Sequence, residues 1–251
     1  MRRHYRKKIG FVLVDTAFHN LSRLAVGRSI EQFEPDEVMV FSDQLEGWPA
    51  GSRVVAIDTI ESKDDYNRFV IEQLPLYATS DFYIVLQYDG FILNGSLWND
   101  EYLQYDYAGA PWPNYEFHRV GNGGFSLRSR RLIHFVSTYS PLRQQGEAED
   151  VFIGRTIRPL LESRHRVSFA PEEIALRFSF ESPGYPMNTF GFHGVFNLPL
   201  AYRGRIEQFV TNAPEQLMLS RRNELAYGAR HLDEGERDWF LKALFRQPSK
   251  Y

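Results

Sequence analysis

The chain has 251 residues, 43% hydrophobic and 15% aromatic, which is enough apolar material to bury a full core as one α/β domain spanning 1–251. A formal charge of −3 offers no global basic face for a polyanion, and the absence of cysteine excludes disulfides, thiolate metal sites and thiol catalysis while suiting a reducing, cytoplasmic setting. No apolar run approaches the roughly 20 residues that cross a bilayer, and the start lacks an apolar signal core.

The first eight residues form a basic N-terminal tail, with Arg2, Arg3, Arg6, Lys7 and Lys8 placed just before the first strand. Such a cluster is either a solvated lead-in or a peripheral membrane contact through 2–8, meeting acidic headgroups or a phosphorylated acceptor. Ile9 to Val14 is a short apolar run of strand formers, ended by Asp15-Thr16. Leu21 to Phe33 carries helical spacing and is broken by Pro35-Asp36. Strands are expected at Glu37 to Asp43 and Arg53 to Ile57, and this β-α-β-loop-β order marks an α/β sandwich.

Asp64 to Leu76 reads as a helix with Tyr66, Phe69, Val70 and Leu74 on one stripe. Asp81 to Gln87 is the strongest strand pattern and is expected to be central, with Gln87, Asp89 and Gly90 at its carboxyl end, where open α/β sheets bind ligands. Leu97 to Tyr105 suggests a short helix, Pro111-Trp112-Pro113 a loop, Phe125 to Leu127 a strand and Arg130 to Tyr139 a helix. Further on, Glu149 to Leu161 has helical spacing, Val167 to Ala170 strand character, and Pro183 to Pro199 the proline and glycine content of a structured loop. Helices at Ile206 to Tyr227 and Glu234 to Phe245 make 205–251 a C-terminal helical segment.

Three features carry chemistry. Gln87-Tyr88-Asp89-Gly90 places a lone carboxylate at a strand exit, although an Asp there also caps turns. Gly121-Asn122-Gly123-Gly124 lacks the spacing of a dinucleotide fingerprint, which leaves close backbone approach to a ligand or a plain hairpin turn. Glu149-Asp150 is an acidic pair that suits a general base or the N-terminus of a helix. Tyr107 and Trp112 suit stacking on a sugar or acceptor ring, although a Trp beside Pro is often simply core.

From about Asp65 to Asn197 the chain resembles a little-characterised family of glycosyltransferase-like proteins. Its marks are Gln-x-Asp-Gly at 87–90, Asp-Tyr-x-Gly-Ala-Pro-Trp at 106–112, Gly-Asn-Gly-Gly-Phe-Ser-Leu-Arg at 121–128, Glu-Asp-Val-Phe at 149–152 and Phe-Gly-Phe-His-Gly at 190–194. The glycine-rich segment followed by Glu-Asp is also similar to the acceptor-side region of metal-dependent inverting galactosyltransferases. The resemblance implies a single-domain GT-A-like fold, a Rossmann-related mixed sheet flanked by helices.

It also implies an inverting transfer from a nucleotide-diphosphate sugar, expected to be a uridine one, to a hydroxyl of a glycan or lipid-linked saccharide. Asp89 fills the slot of the last carboxylate of the family's Asp-x-Asp motif, while Gln87 replaces the first, which leaves dependence on Mn2+ or Mg2+ open. His193 takes the place of the late histidine that completes the metal and diphosphate site. Asp150 takes that of the catalytic base, with Glu149 as its substitute. The donor is expected to meet Asp15 and Thr16 at the nucleobase, Arg68 at the diphosphate, and Gln87, Gly90, Asp106, Asn122, Gly123 and Gly124 elsewhere; Trp112 and Tyr107 are expected at the acceptor. Two alternatives stand beside this: a glycosyltransferase acting on a modified base in DNA, against which the net acidity speaks, and a non-catalytic nucleotide-sugar or carbohydrate-binding module.

Overall fold

The computed structural model describes residues 7–181 and 188–246. Its strands are β1 (Ile9–Val14), β2 (Glu37–Ser42), β3 (Ser52–Ala56), β4 (Phe82–Leu86), β5 (Gly90–Ile92), β6 (Tyr107–Gly109), β7 (Ser126–Ser129), β8 (Ser179–Phe180) and β9 (Gly191–His193). The main sheet has the order β3-β2-β1-β4-β7-β6, parallel from β3 to β4 and antiparallel beyond it. A mixed α/β fold is thus observed, as expected.

Every residue of β1 and β4 is buried because helices cover both faces of the sheet. The two-residue period divides their side chains: Phe11, Leu13, Ile84 and Leu86 enter one apolar cluster, whereas Val12, Val14, Tyr83 and Val85 enter another. Helix α1 (His19–Gln32) sends Val26 into the first cluster, and α2 (Lys63–Glu72) sends Val70 into the second. The Ser62 side chain accepts a hydrogen bond from the Asp65 amide and so starts α2, and Pro75 confines its continuation to a 3₁₀ turn at Leu74–Leu76.

After β4 the chain turns back at once, with Gln87 and Gly90 exchanging backbone hydrogen bonds, and enters a small sheet of order β5-β9-β8. Antiparallel pairing there sets Gly90 opposite His193 and Ile92 opposite Gly191. Helix α3 (Arg130–Thr138) follows β7, and Ser129 caps it by accepting from the Leu132 amide. Next come a single turn α4 (Glu149–Val151), then α5 (Arg158–His165), α6 (Glu172–Phe178), α7 (Leu198–Ala201), α8 (Ile206–Asn212), α9 (Glu215–Ser220), α10 (Arg222–Ala229) and α11 (Glu234–Leu244). The C-terminal helices build a third cluster around Leu198, Tyr202, Phe209, Leu225 and Phe240. Leu21 and Ala25 of α1, with Phe91 and Phe192 of the small sheet, complete it.

Several sequence expectations are corrected. The helix expected from Glu149 to Leu161 is interrupted by a wide π-type turn at Phe152–Thr156, where Gly154 packs against Gly121 and Trp112. The strand expected at Val167 to Ala170 is reduced to an isolated bridge between Phe169 and Tyr107. Within Pro183 to Pro199, residues 188–199 contain β9, a 3₁₀ turn at Val195–Asn197 and the start of α7; residues 182–187 lie outside the described residues. Leu97 to Tyr105 forms 3₁₀ turns, and the long helix from Ile206 to Tyr227 is three short ones, the first two separated by Ala213 and Pro214. Of the basic segment 2–8, only Lys7 and Lys8 fall among the described residues; the Lys7 ammonium donates to the Leu103 carbonyl and lies over the Phe82 ring. Among the described residues no helix is long and apolar enough to cross a membrane.

Candidate active site

Strands β2 and β4 flank β1 on opposite sides, so the chain leaves β1 in one direction and returns on the other. At such a switch point the loops beyond the strand ends diverge and leave a crevice. A cleft of about 670 Å³ lies there, within the usual range for small-molecule sites. Asp15 and Thr16 follow β1 into it, Gln87 and Asp89 follow β4, Gly124 comes from the glycine-rich loop, Asp150 from the turn α4, and His193 ends β9.

The register of the small sheet explains how residues so distant in sequence meet. Because Gly90 pairs with His193, the imidazole stands beside the residue before Gly90, and the Gly194 amide donates to the Asp89 carbonyl at 2.8 Å. His193 Nε2 is 3.8 Å from Asp89 Oδ1 and 3.2 Å from Gln87 Oε1, and its Nδ1 is 3.2 Å from Glu181. Gly124 faces this ring, and a Cβ at that position would collide with it.

Burial opposes a charge on His193, but the carboxylates of Asp89 and Glu181 outweigh it and hold the imidazole up at about 9. Burial also pushes the Asp89 carboxyl above its ordinary value, although His193 pulls against it. Asp89 Oδ1 is buried and has no hydrogen-bond partner. A buried carboxylate oxygen left bare beside an imidazole suits a cation, since hard divalent ions take carboxylate oxygens and accept an occasional imidazole. Among the described residues no group of three or more His, Cys, Asp or Glu side chains is placed to hold a metal.

Asp150 lies across the cleft, mostly buried. Its Oδ2 accepts from the Gly123 amide at 3.2 Å and its Oδ1 from the Val151 amide at 2.8 Å. Burial first, and the charge of Glu149 second, raise its carboxyl to about 6. Glu149 itself forms a two-pronged ion pair with Arg128, both contacts at 2.9 Å, and its backbone amide donates to Asn67. Glu149 also lines the cleft, but both of its carboxylate oxygens are engaged by the guanidinium, which leaves Asp150 the less encumbered of the two carboxylates.

Other expected site residues lie elsewhere. Asp106 is buried away from the cleft, accepting from Ser129 Oγ at 2.6 Å, from the Ser168 amide at 2.9 Å and from the Arg131 guanidinium. Tyr107 is fully buried; its hydroxyl donates to the carbonyls of Gly121 at 2.5 Å and Asn122 at 3.0 Å, so it has no face for an acceptor. Trp112 packs under Gly121 and Gly154 rather than in the cleft, and Arg68 pairs with Asp65 beside a separate depression on the far side of α2. Asn122 is buried, its side-chain oxygen accepting from the Gly124 amide, while Gly123 and Gly90 act through their backbones.

Thr16 and Asp15 do line the cleft, Thr16 Oγ1 accepting from the Ile60 amide and Asp15 from the Ala17 and Phe18 amides. Sequence reasoning missed Glu181 behind His193, Tyr66, which accepts from Gln87 Nε2 at 2.8 Å, and Arg221 at the rim. None of these sits in a motif. A buried arginine in the strand pattern Ser-Leu-Arg-Ser was the one signal that Glu149 had a partner.

A family model described as "Protein of unknown function (DUF5672)" matches residues 51–193, more than half of the chain. The chain belongs to this family. The DUF5672 segment holds most of the motifs quoted above, together with Asp89, Asp150 and His193, whereas β1 and the C-terminal helices lie outside it. No curated protein matches the chain. Among solved structures, a glycosyltransferase involved in the glycosylation of the major capsid of PBCV-1 aligns with a TM-score of 0.52 at 11% identity, covering 82% of this chain and 98% of that one. A mannosyltransferase from Pyrobaculum calidifontis in complex with GDP-Man and Mn2+ aligns at 0.47 and 11% identity, covering 96% and 74%. An active-site mutant of LgtC aligns at 0.46 and 13%, covering 86% and 99%. The first of these fixes the fold: this DUF5672 chain has a GT-A-type glycosyltransferase fold.

Proposed function

We propose that this DUF5672 protein is an inverting glycosyltransferase that takes a sugar from a nucleotide-diphosphate donor, a uridine one, and passes it to a hydroxyl of a glycan or lipid-linked saccharide. One observation carries this: Asp89, Asp150 and His193, drawn from three distant segments, line a single cleft at the switch point of the sheet. A binding module has no need of a carboxylate held, half-desolvated, with its proton affinity raised to about 6.

The nucleoside would enter at Asp15 and Thr16, and the diphosphate would lie toward Asp89 and His193. A divalent cation, Mn2+ or Mg2+, if held by Asp89 and by His193 after its imidazolium gives up a proton, would offset the charge that develops on the departing diphosphate. Lys63 and Arg221, also at the cleft, add positive charge on the protein's own account. Asp150 would accept the proton of the acceptor hydroxyl, on the side of the sugar opposite the leaving group, as direct displacement requires. The Gly123 and Val151 amides keep its oxygens pointed for this.

The test is turnover of a panel of nucleotide sugars, read as nucleoside diphosphate released, with and without added Mn2+ and with Asp150→Asn as the control. Release that requires Asp150 supports the transferase. Tight nucleotide-sugar binding with no release by protein or acceptor extract would leave the binding module in its place.

A further inference from the structure

We propose that Arg128 is a positioning residue for Asp150, holding both of the segments on which that carboxylate rests; the catalytic part of this claim depends on the transferase function proposed above. Arg128 is only 1% exposed, an unusual fate for an arginine in a strand. Each of its three nitrogens nonetheless donates: Nε to Ser126 Oγ at 3.0 Å, Nη1 to Glu149 Oε2 at 2.9 Å, and Nη2 to Glu149 Oε1 at 2.9 Å and the Gly123 carbonyl at 3.2 Å. Glu149 outweighs the burial that works against the charge, so the guanidinium is held charged more firmly than usual.

Two of its three partners, Glu149 and Gly123, are the immediate supports of Asp150. Glu149 is the preceding residue, and Gly123 supplies the amide that Asp150 Oδ2 accepts. Three successive carbonyls of the glycine-rich loop turn inward, that of Gly121 to the Tyr107 hydroxyl, that of Asn122 to the same hydroxyl and that of Gly123 to Ser126 and Arg128. With its own carbonyl tethered inside, the Gly123 peptide presents its amide to Asp150. The packing leaves no slack, since a Cβ on Gly123 would meet Arg128 Nη2 and Asp150 Cβ, each at 2.8 Å. An ion pair needed only for cohesion could be an apolar pair of similar volume at little cost. Here the fork of the guanidinium joins Glu149 to the Gly123 carbonyl, the same two segments that the Gly123 amide to Asp150 hydrogen bond joins.

Arg128→Lys keeps the charge and loses the fork. The amide resonance of Gly123 in the full-length protein reports its hydrogen bond to Asp150, with Asp150→Ala marking the position when that bond is gone. In folded Arg128→Lys the resonance should move most of the way to the Asp150→Ala position, and kcat should fall by about tenfold or more with the donor KM within twofold. If Arg128→Lys does not fold, Arg128→Met combined with Glu149→Leu, which leaves no unpaired interior charge, is read the same way. A folded variant with the Gly123 resonance at its wild-type position and kcat within twofold overturns the proposal. Wild-type protein that turns over no nucleotide sugar, while the Gly123 resonance responds as described, leaves the positioning of Asp150 standing and removes the transferase instead.

Discussion

Gly124 and His193 fit together only because residue 124 has no side chain: a Cβ there would overlap the imidazole. The ring is held in that place by Glu181 on one nitrogen, at 3.2 Å, and faces Gln87 and Asp89 with the other. Gly124→Ala must therefore push His193 out of the cleft or shift the loop that carries residue 124. We expect a folded protein, less stable by about 1–3 kcal/mol from overpacking, whose nucleotide affinity in the presence of Mn2+ is weakened at least tenfold while its affinity without metal changes little. Titration calorimetry with and without Mn2+ measures both. Equal affinities for wild type and variant in Mn2+ would take His193 out of the site.

The base role proposed for Asp150 sets a pH dependence. Its carboxyl titrates at about 6, pushed up by burial and then by Glu149, and a base works only once ionised. Turnover should rise as pH increases through about 6 and level off above it. Asp150→Asn should lower kcat by about 10²–10⁴-fold with nucleotide affinity within twofold. The stability sign follows from linkage. A carboxyl whose folded pKa is raised holds its proton more tightly in the folded state, so its ionisation destabilises the fold as pH rises from the unfolded value of about 4 to the folded one. Thermal unfolding should thus show Asp150→Asn gaining on wild type between pH 4 and pH 7. An acid limb with an unchanged midpoint in Asp150→Asn would assign that limb to another group.

The sequence revealed the sheet well where one physical rule dominates. Ile9 to Val14 and Phe82 to Leu86 are buried on both faces, and continuous apolar runs of that length have few other uses. It revealed the cleft for the same reason, since strand ends at a switch point are where ligands gather, and Asp15, Gln87 and Asp89 lie there. What stayed hidden depends on pairing over long distances. Neither β5 nor β9 exceeds three residues, too few for a periodic signal, yet their register brings His193 to Asp89. Tyr107, Trp112 and Asp106 belong to motifs that read as ligand contacts but serve the glycine-rich loop and the core. Their partners, Gly121 for Tyr107, Ser129 for Asp106 and Gly154 for Trp112, lie further along the chain, and no local spacing encodes these contacts.

The Arg128–Glu149 pair also makes a stability prediction. Both side chains are nearly fully buried, and removing one leaves the other as an unpaired interior charge. Glu149→Ala should cost about 3–5 kcal/mol, seen as a lower urea midpoint with unchanged slope. Arg128→Met with Glu149→Leu should recover most of that loss, because no charge then remains buried alone. A single variant as stable as wild type would mean that water reaches the orphaned group.

Asp106 provides the contrasting case, a carboxylate that the motif suggested for the donor and the structure uses for the fold. Burial works to raise its carboxyl, but hydrogen bonds from Arg131, Ser129 and the Ser168 amide outweigh it and hold the group below its ordinary value. A carboxylate with a depressed folded pKa contributes stability above the unfolded value of about 4, and that contribution is lost as pH falls through the folded one. Asp106→Asn keeps the shape and removes the charge that Arg131 binds, so it should cost about 1.5–3 kcal/mol at pH 7, the worth of a hydrogen bond to a charged group. The deficit should shrink as pH falls below the ordinary carboxylate range and wild type is itself protonated. Nucleotide-sugar affinity should stay within twofold, because Asp106 lies outside the cleft. If urea unfolding finds no loss of stability while donor affinity drops, then the β6 strand opens in solution and Asp106 belongs to the donor after all.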